Sequence, residues 1–83
     1  MKVLYFAWLR TRVGVGREEV TPPPQVTTAA ALMDWLAGRS DGHAAAFANR
    51  ALVRIAINQD HVDADAPVGP GDEVAFFPPV TGG

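Results

Sequence analysis

Seven residues near the start of the chain, Lys2 to Trp8 (KVLYFAW), are rich in aromatic and β-branched side chains and predict a strand. Side chains along a strand alternate between its two faces. Val3, Tyr5 and Ala7 therefore fall on one side, and Leu4, Phe6 and Trp8 on the other. Neither side is polar. A strand of this kind is sandwiched or central in a sheet, or it shows one face to a partner. The same run follows Lys2 as the apolar part of a signal peptide would. However, no small-residue cleavage site comes after it, and Arg10 and Arg12 arrive at once. No stretch approaches the ~18 apolar residues of a membrane span. The expectation is a cytoplasmic protein with no membrane partner.

Gly14 and Gly16 mark a turn, and Arg17 to Thr21 (REEVT) predicts a returning strand. Pro22-Pro23-Pro24 cannot continue a ladder and predicts a stiff, extended connector. Thr27 or Thr28 is placed to cap a helix over AAALMDWLA, where Leu32, Trp35 and Leu36 fall on one face. Gly38 stands where a glycine ends such a helix. Ser40 predicts the cap of a further short helix through Phe47. Leu52 to Asn58 (LVRIAIN) alternates, with Val53, Ile55 and Ile57 on the core side. Pro67 to Gly71 predicts a turn, and Asp72 to Phe77 (DEVAFF) the last strand, with a minor strand near Val62. Two hairpin-like halves around one helix predict an α+β domain with the helix on one face of the sheet.

The chain has 83 residues and a formal net charge of −2, so the expectation is one domain. One lysine and six scattered arginines make no basic stripe of the kind that phosphate backbones require, so no nucleic-acid partner is expected. There is no cysteine, which removes disulfides, thiolate metal sites and cysteine nucleophiles. Gly14-Val15-Gly16 lacks the third glycine of a dinucleotide fingerprint. Asp63-Ala64-Asp65 begins like a calcium loop, but Pro67 and Val68 occupy positions that need a ligand and a glycine, which leaves a solvated acidic turn. His43 and His61 lie in polar, turn-like stretches and are expected at the surface. A helix cap explains Ser40 better than nucleophilic catalysis does. No metal site and no bound cofactor are expected.

What remains is the end of the chain. The last strand runs into Pro78-Pro79, which removes two backbone donors and stops the ladder. Val80-Thr81-Gly82-Gly83 follows with no core pattern, so the division expected is a domain over 1–79 and a tail over 80–83. From Pro78 to Gly83 the reach is at most about 20 Å at ~3.3 Å per residue, long enough to enter a partner's active site. Glycine has no Cβ, so an enzyme can grip Gly82 in a narrow channel and still reach the Gly83 carboxylate. The competing account is a frayed terminus.

The terminal run GDEVAFFPPVTGG (Gly71 to Gly83) closely resembles the small, sulfur-carrying subunits of molybdopterin synthase, a ubiquitin-like family. The opening KVLYFAWLR with Val13-Gly14, and Asn58-Gln59 after the third main strand, match the same family. Trp8 and Trp35 depart from it. The resemblance implies a β-grasp fold: a mixed sheet of four to five strands on one main helix, with the first and last strands side by side. It also implies that a ubiquitin-activating-type adenylyltransferase uses ATP to adenylate Gly83. A sulfur-donor protein then converts Gly83 to a thiocarboxylate, which supplies sulfur to a molybdopterin precursor in the large subunit. Two carriers and two large subunits would form the assembly. Thr81 and Gly82 would be gripped with the tail, and Phe77, Pro78, Pro79 and Val80 would meet the partner. If Phe76 packs in the core, Phe77 faces outward. The rival readings are a carrier for thiamine or tRNA thiolation, a ubiquitin-like tag joined to lysines, and a plain binding module with an idle tail.

Overall fold

The computed structural model describes residues 1–79. The elements run β1 (Lys2–Tyr5), α1 (Trp8–Val13), β2 (Arg17–Glu19), α2 (Ala29–Ala37), α3 (Asp41–Ala46), a 3-10 turn (Arg50–Leu52), β3 (Arg54–Ile57), β4 (Asp60–Val62) and β5 (Glu73–Phe77). The strands form one mixed sheet in the order β2-β1-β5-β3-β4. β1 and β5 lie parallel, with Val3 opposite Val74 and Tyr5 opposite Phe76, and the remaining pairs are antiparallel. The expected adjacency of first and last strands is thus observed.

The first strand is shorter than its composition predicts. It ends at Tyr5, the backbone turns at Ala7 (φ 55°), and Trp8–Val13 is helical. Beyond the turn, Leu9 on α1 enters the core with no exposed surface. Gly14, left-handed at φ 99°, closes α1 and donates its N–H to the Arg10 carbonyl at 2.8 Å. A six-residue helix spans fewer than two turns, too few for a 3.6-residue period to register.

α2 starts as its cap predicts: Thr28 Oγ1 accepts the Ala31 N–H at 3.2 Å. Two further free donors at its start, on Ala29 and Ala30, are taken by the carbonyls of Ala66 and Ala64 at 2.9 and 2.8 Å. The acidic turn and the residue after it, through the carbonyls of Ala64 and Ala66, therefore cap a helix with their backbone. Gly38 ends α2 in a right-handed conformation (φ −83°), so its position, and not a left-handed twist, is what the chain uses there. Ser40 Oγ accepts the His43 N–H at 3.0 Å and opens α3.

The β3–β4 hairpin turns on Asn58 and Gln59, both at positive φ (50° and 72°), as a two-residue primed turn requires. Asn58 also holds β5 in place. Its N–H donates to the Glu73 carbonyl at 2.8 Å, its side-chain Oδ1 accepts the Glu73 N–H at 3.1 Å, and its Nδ2 donates to Asp72 Oδ1 at 3.0 Å. Leu52, expected to begin the third strand, is instead exposed in the 3-10 turn, while Val53, Ile55 and Ile57 are buried as the alternation requires.

One face of the sheet carries the core. Val3, Tyr5, Ile55, Ile57, Val74 and Phe76 pack there with Leu9, Leu32, Met33, Leu36 and Phe47 from the helical side. Phe47 meets Phe76 edge-on with ring centroids 4.9 Å apart, and Tyr5 stacks on Phe76 at 6.2 Å. Each such pair adds about 0.5–1.5 kcal/mol beyond simple burial.

Candidate functional site

The other face of the sheet has no helix over it. Because Val3 and Tyr5 point into the core, Leu4 and Phe6 point the opposite way, joined by Ala56, Ala75 and Phe77. These side chains line an open, shallow apolar depression that Gln59 and Glu73 also border. Phe6 is 49% exposed, while Phe77 is half-buried with its ring 5.2 Å from that of His61. The two apolar sides of the opening strand thus have different uses: one is core, the other is open surface.

Alternation on β5 separates its two phenylalanines as expected. Phe76 is fully buried among Tyr5 and Phe47, and Phe77 lies on the open face. Pro78 and Pro79 are half-buried and end the ladder. The Phe6 N–H donates to the Phe76 carbonyl at 3.1 Å, which places Phe6 beside the point where the chain leaves the sheet. Val80, Thr81, Gly82 and Gly83 lie outside the described residues.

His43 corrects the expectation of a surface residue: it is 8% exposed and sits inside α3. Its Nε2 donates to Glu18 Oε2 at 2.8 Å, and Ser40 Oγ lies 2.7 Å from its Nδ1. Glu18 Oε2 also accepts the Tyr5 hydroxyl at 2.6 Å, and Arg39 stands 4.0 Å from Oε1. Burial by itself pushes the Glu18 carboxyl up. The Tyr5 and His43 hydrogen bonds, with the charges of His43 and Arg39, outweigh it and hold the carboxyl below its ordinary range. Burial pushes the Tyr5 phenol upward, and its bond to the anionic Glu18 adds to the effect. The cluster ties β1, β2 and α3 together. Its members are separated by up to 38 positions in sequence (Tyr5 to His43), so no local motif announces it. His61, by contrast, is exposed on β4 as expected.

Among the described residues no three metal-ligating side chains converge, and no helix is long and apolar enough to cross a membrane. An apolar recess of about 250 Å³ lies between Met1, Val20, the triple proline, Val68 and Pro70. It opens near the start of β1 and β5, at the end of the sheet opposite Phe77 and Pro78.

A mixed five-stranded sheet, with β1 and β5 parallel in its interior and α2 packed on one face, defines a ubiquitin-like β-grasp protein. The profile of the ThiS family matches residues 3–83, and the chain belongs to that family. It is 46% identical over 83 residues to the molybdopterin synthase sulfur carrier subunit of Escherichia coli K12, covering 100% of this chain and 99% of that one. The subunit of the same name from Haemophilus influenzae is 40% identical over the same coverage. Among solved structures, a putative molybdopterin converting factor subunit 1 from Pyrococcus furiosus aligns with a TM-score of 0.77 at 32% identity, over 95% of both chains. SAMP1 from Haloferax volcanii aligns with a TM-score of 0.76 at 26% identity, over 100% of this chain and 98% of that one. The family resemblance read from GDEVAFFPPVTGG is met along the whole chain.

Proposed function

We propose that this chain is the sulfur carrier subunit of molybdopterin synthase and that it works through the Gly83 carboxylate. The observation that carries the reading is 46% identity over the full length to the E. coli protein of that name. A carboxylate is a poor electrophile. An adenylating partner joins it to the α-phosphate of ATP and releases pyrophosphate. A sulfur nucleophile then displaces AMP and leaves a C-terminal thiocarboxylate. Inserted into the large subunit, the thiocarboxylate transfers its sulfur to the pterin precursor, and water restores the carboxylate. With no cysteine in the chain, sulfur has to ride on the backbone terminus.

The open sheet face gives the domain a place to dock while the tail is inserted. Leu4, Phe6, Ala75 and Phe77 form an apolar patch beside the exit of the chain at Pro78. Burying one phenylalanine contributes about 1.5–3 kcal/mol, and aromatic side chains in such a position are frequent interface anchors. The assembly expected is two carriers with two large subunits.

The test is the intact mass of the chain after incubation with the cognate activating enzyme, ATP and a sulfur source. Sulfur-for-oxygen exchange at Gly83 is the expected result, and an unchanged mass with a competent enzyme rejects the reading. A second reading, a protein tag linked through Gly83 to lysines, is favoured by the likeness to an H. volcanii structure described as a small archaeal modifier protein (TM-score 0.76, 25% identity). Isopeptide conjugates at Gly83, sought by mass spectrometry in cells, separate the two.

A further inference from the structure

The open sheet face is electrically polarised along its strands. Strand register places Arg17 opposite Leu4 and Arg54 opposite Phe77, so both arginines stand on the open face, at either side of the apolar patch. β1 and β5 are parallel and run toward Phe6 and Phe77, so this is the end from which the tail departs. Arg10 adds a third cation beside Phe6. At the opposite end, Lys2 is flanked by Glu19 and Glu73 in the same register.

The cations at the two ends differ in their partners. Lys2 pairs with Glu73 at 4.0 Å, and the Met1 ammonium pairs with Glu19 at 3.8 Å. On the helical side, Arg50 pairs with Asp34 and Arg39 with Glu18. Arg17 and Arg54 are exposed and form no ion pair or side-chain hydrogen bond among the described residues, although Asp63 borders Arg54. Among the described residues, two guanidinium groups without an ion pair therefore frame an apolar patch that no helix covers, on a chain whose net charge is −2.

We infer that Arg17 and Arg54 form a cationic frame that orients the carrier on a partner whose apolar docking patch is bordered by carboxylates, so that the tail end meets the partner's channel first. The inference rests on the function proposed above and specifies the partner surface that function needs. Apolar contact alone is indifferent to rotation about the sheet normal. A charge at one end of the patch removes that freedom and steers the encounter before contact, over a screening distance of about 8 Å at physiological salt.

The experiment measures association of the full-length carrier with its cognate large subunit by stopped flow, across a salt series. Wild-type carrier should associate faster at low salt. Arg17→Gln and Arg54→Gln should each slow association several-fold, and the double variant about tenfold, with a flatter salt dependence. Arg50→Gln makes the same change in net charge on the helical side and should leave the rate within twofold. Thermal unfolding of each variant confirms the fold. A wild-type rate that ignores salt, or a double variant as fast as Arg50→Gln, overturns the inference. So does sedimentation showing a carrier dimer that the arginine variants abolish, because the patch then belongs to a second copy. Sulfur loading of the same samples, read by intact mass, separates the two levels. A loaded carrier that binds independently of salt rejects only the cationic frame, whereas a carrier that neither loads nor binds rejects the function and the frame with it.

Discussion

Phe76 and Phe77 are neighbours on β5 that face opposite sides of the sheet: Phe76 has no exposed surface, and Phe77 turns its ring toward His61 on the open face. Truncating them should therefore have opposite consequences. Phe76→Ala should cost about 3–5 kcal/mol of stability through the cavity left beside Tyr5 and Phe47. Phe77→Ala should cost about 1 kcal/mol or less and mainly weaken binding to the large subunit. Urea titration and calorimetric titration with the large subunit check both. Full affinity in Phe77→Ala would end its role as an anchor.

Glu18 makes stability depend on acid. Its folded carboxyl sits below the ordinary value of 4.5, held there against burial by Tyr5, His43 and Arg39. The contribution is complete above the unfolded value and disappears as pH falls through the lower folded one. Denaturation midpoints should fall from about pH 4.5 downward, and Glu18→Gln should flatten that limb while lowering stability at neutral pH. Parallel acid limbs in the two proteins would contradict the assignment.

Gly42 lies where α3 crosses the end of α1. A Cβ built there would meet the Arg12 carbonyl oxygen, which is backbone and cannot swing away. Gly42→Ala should therefore destabilise by about 1–3 kcal/mol, despite alanine's better helix propensity. A thermal midpoint equal to or above wild type would show that the helices separate at little cost.

Asn58 combines a positive φ with side-chain bonds to Asp72 and to the Glu73 N–H. Asn58→Ala loses both bonds and adds backbone strain, for an expected cost of about 1–3 kcal/mol. Asn58→Gly relieves the strain but not the lost bonds, so it should fall between the two. Chemical denaturation of the three proteins orders them.

Much of the fold was legible in local patterning. Glycine and proline marked the break at Gly14 and the turn at Pro70-Gly71, Thr28 and Ser40 placed two helix starts, and alternation sorted Val53, Ile55 and Ile57 from their neighbours. These signals are legible because a cap, a turn or a pleat is decided within a few residues. α1 is shorter than two turns and leaves no periodic signature, so the composition of Lys2 to Trp8 predicts a first strand three residues longer than the one that forms.

The sequence by itself determined that Lys2 to Trp8 is apolar toward both sides, that no cysteine can carry sulfur, and that Pro78-Pro79 stops the last strand. Only the tertiary structure decided which apolar side became core and which stayed open. It alone brought Glu18, Tyr5 and His43 together, and aligned Arg17 and Arg54 beside Leu4 and Phe77. The physical reason is that burial and strand register are relations between segments distant in the chain, and no window of sequence contains both partners.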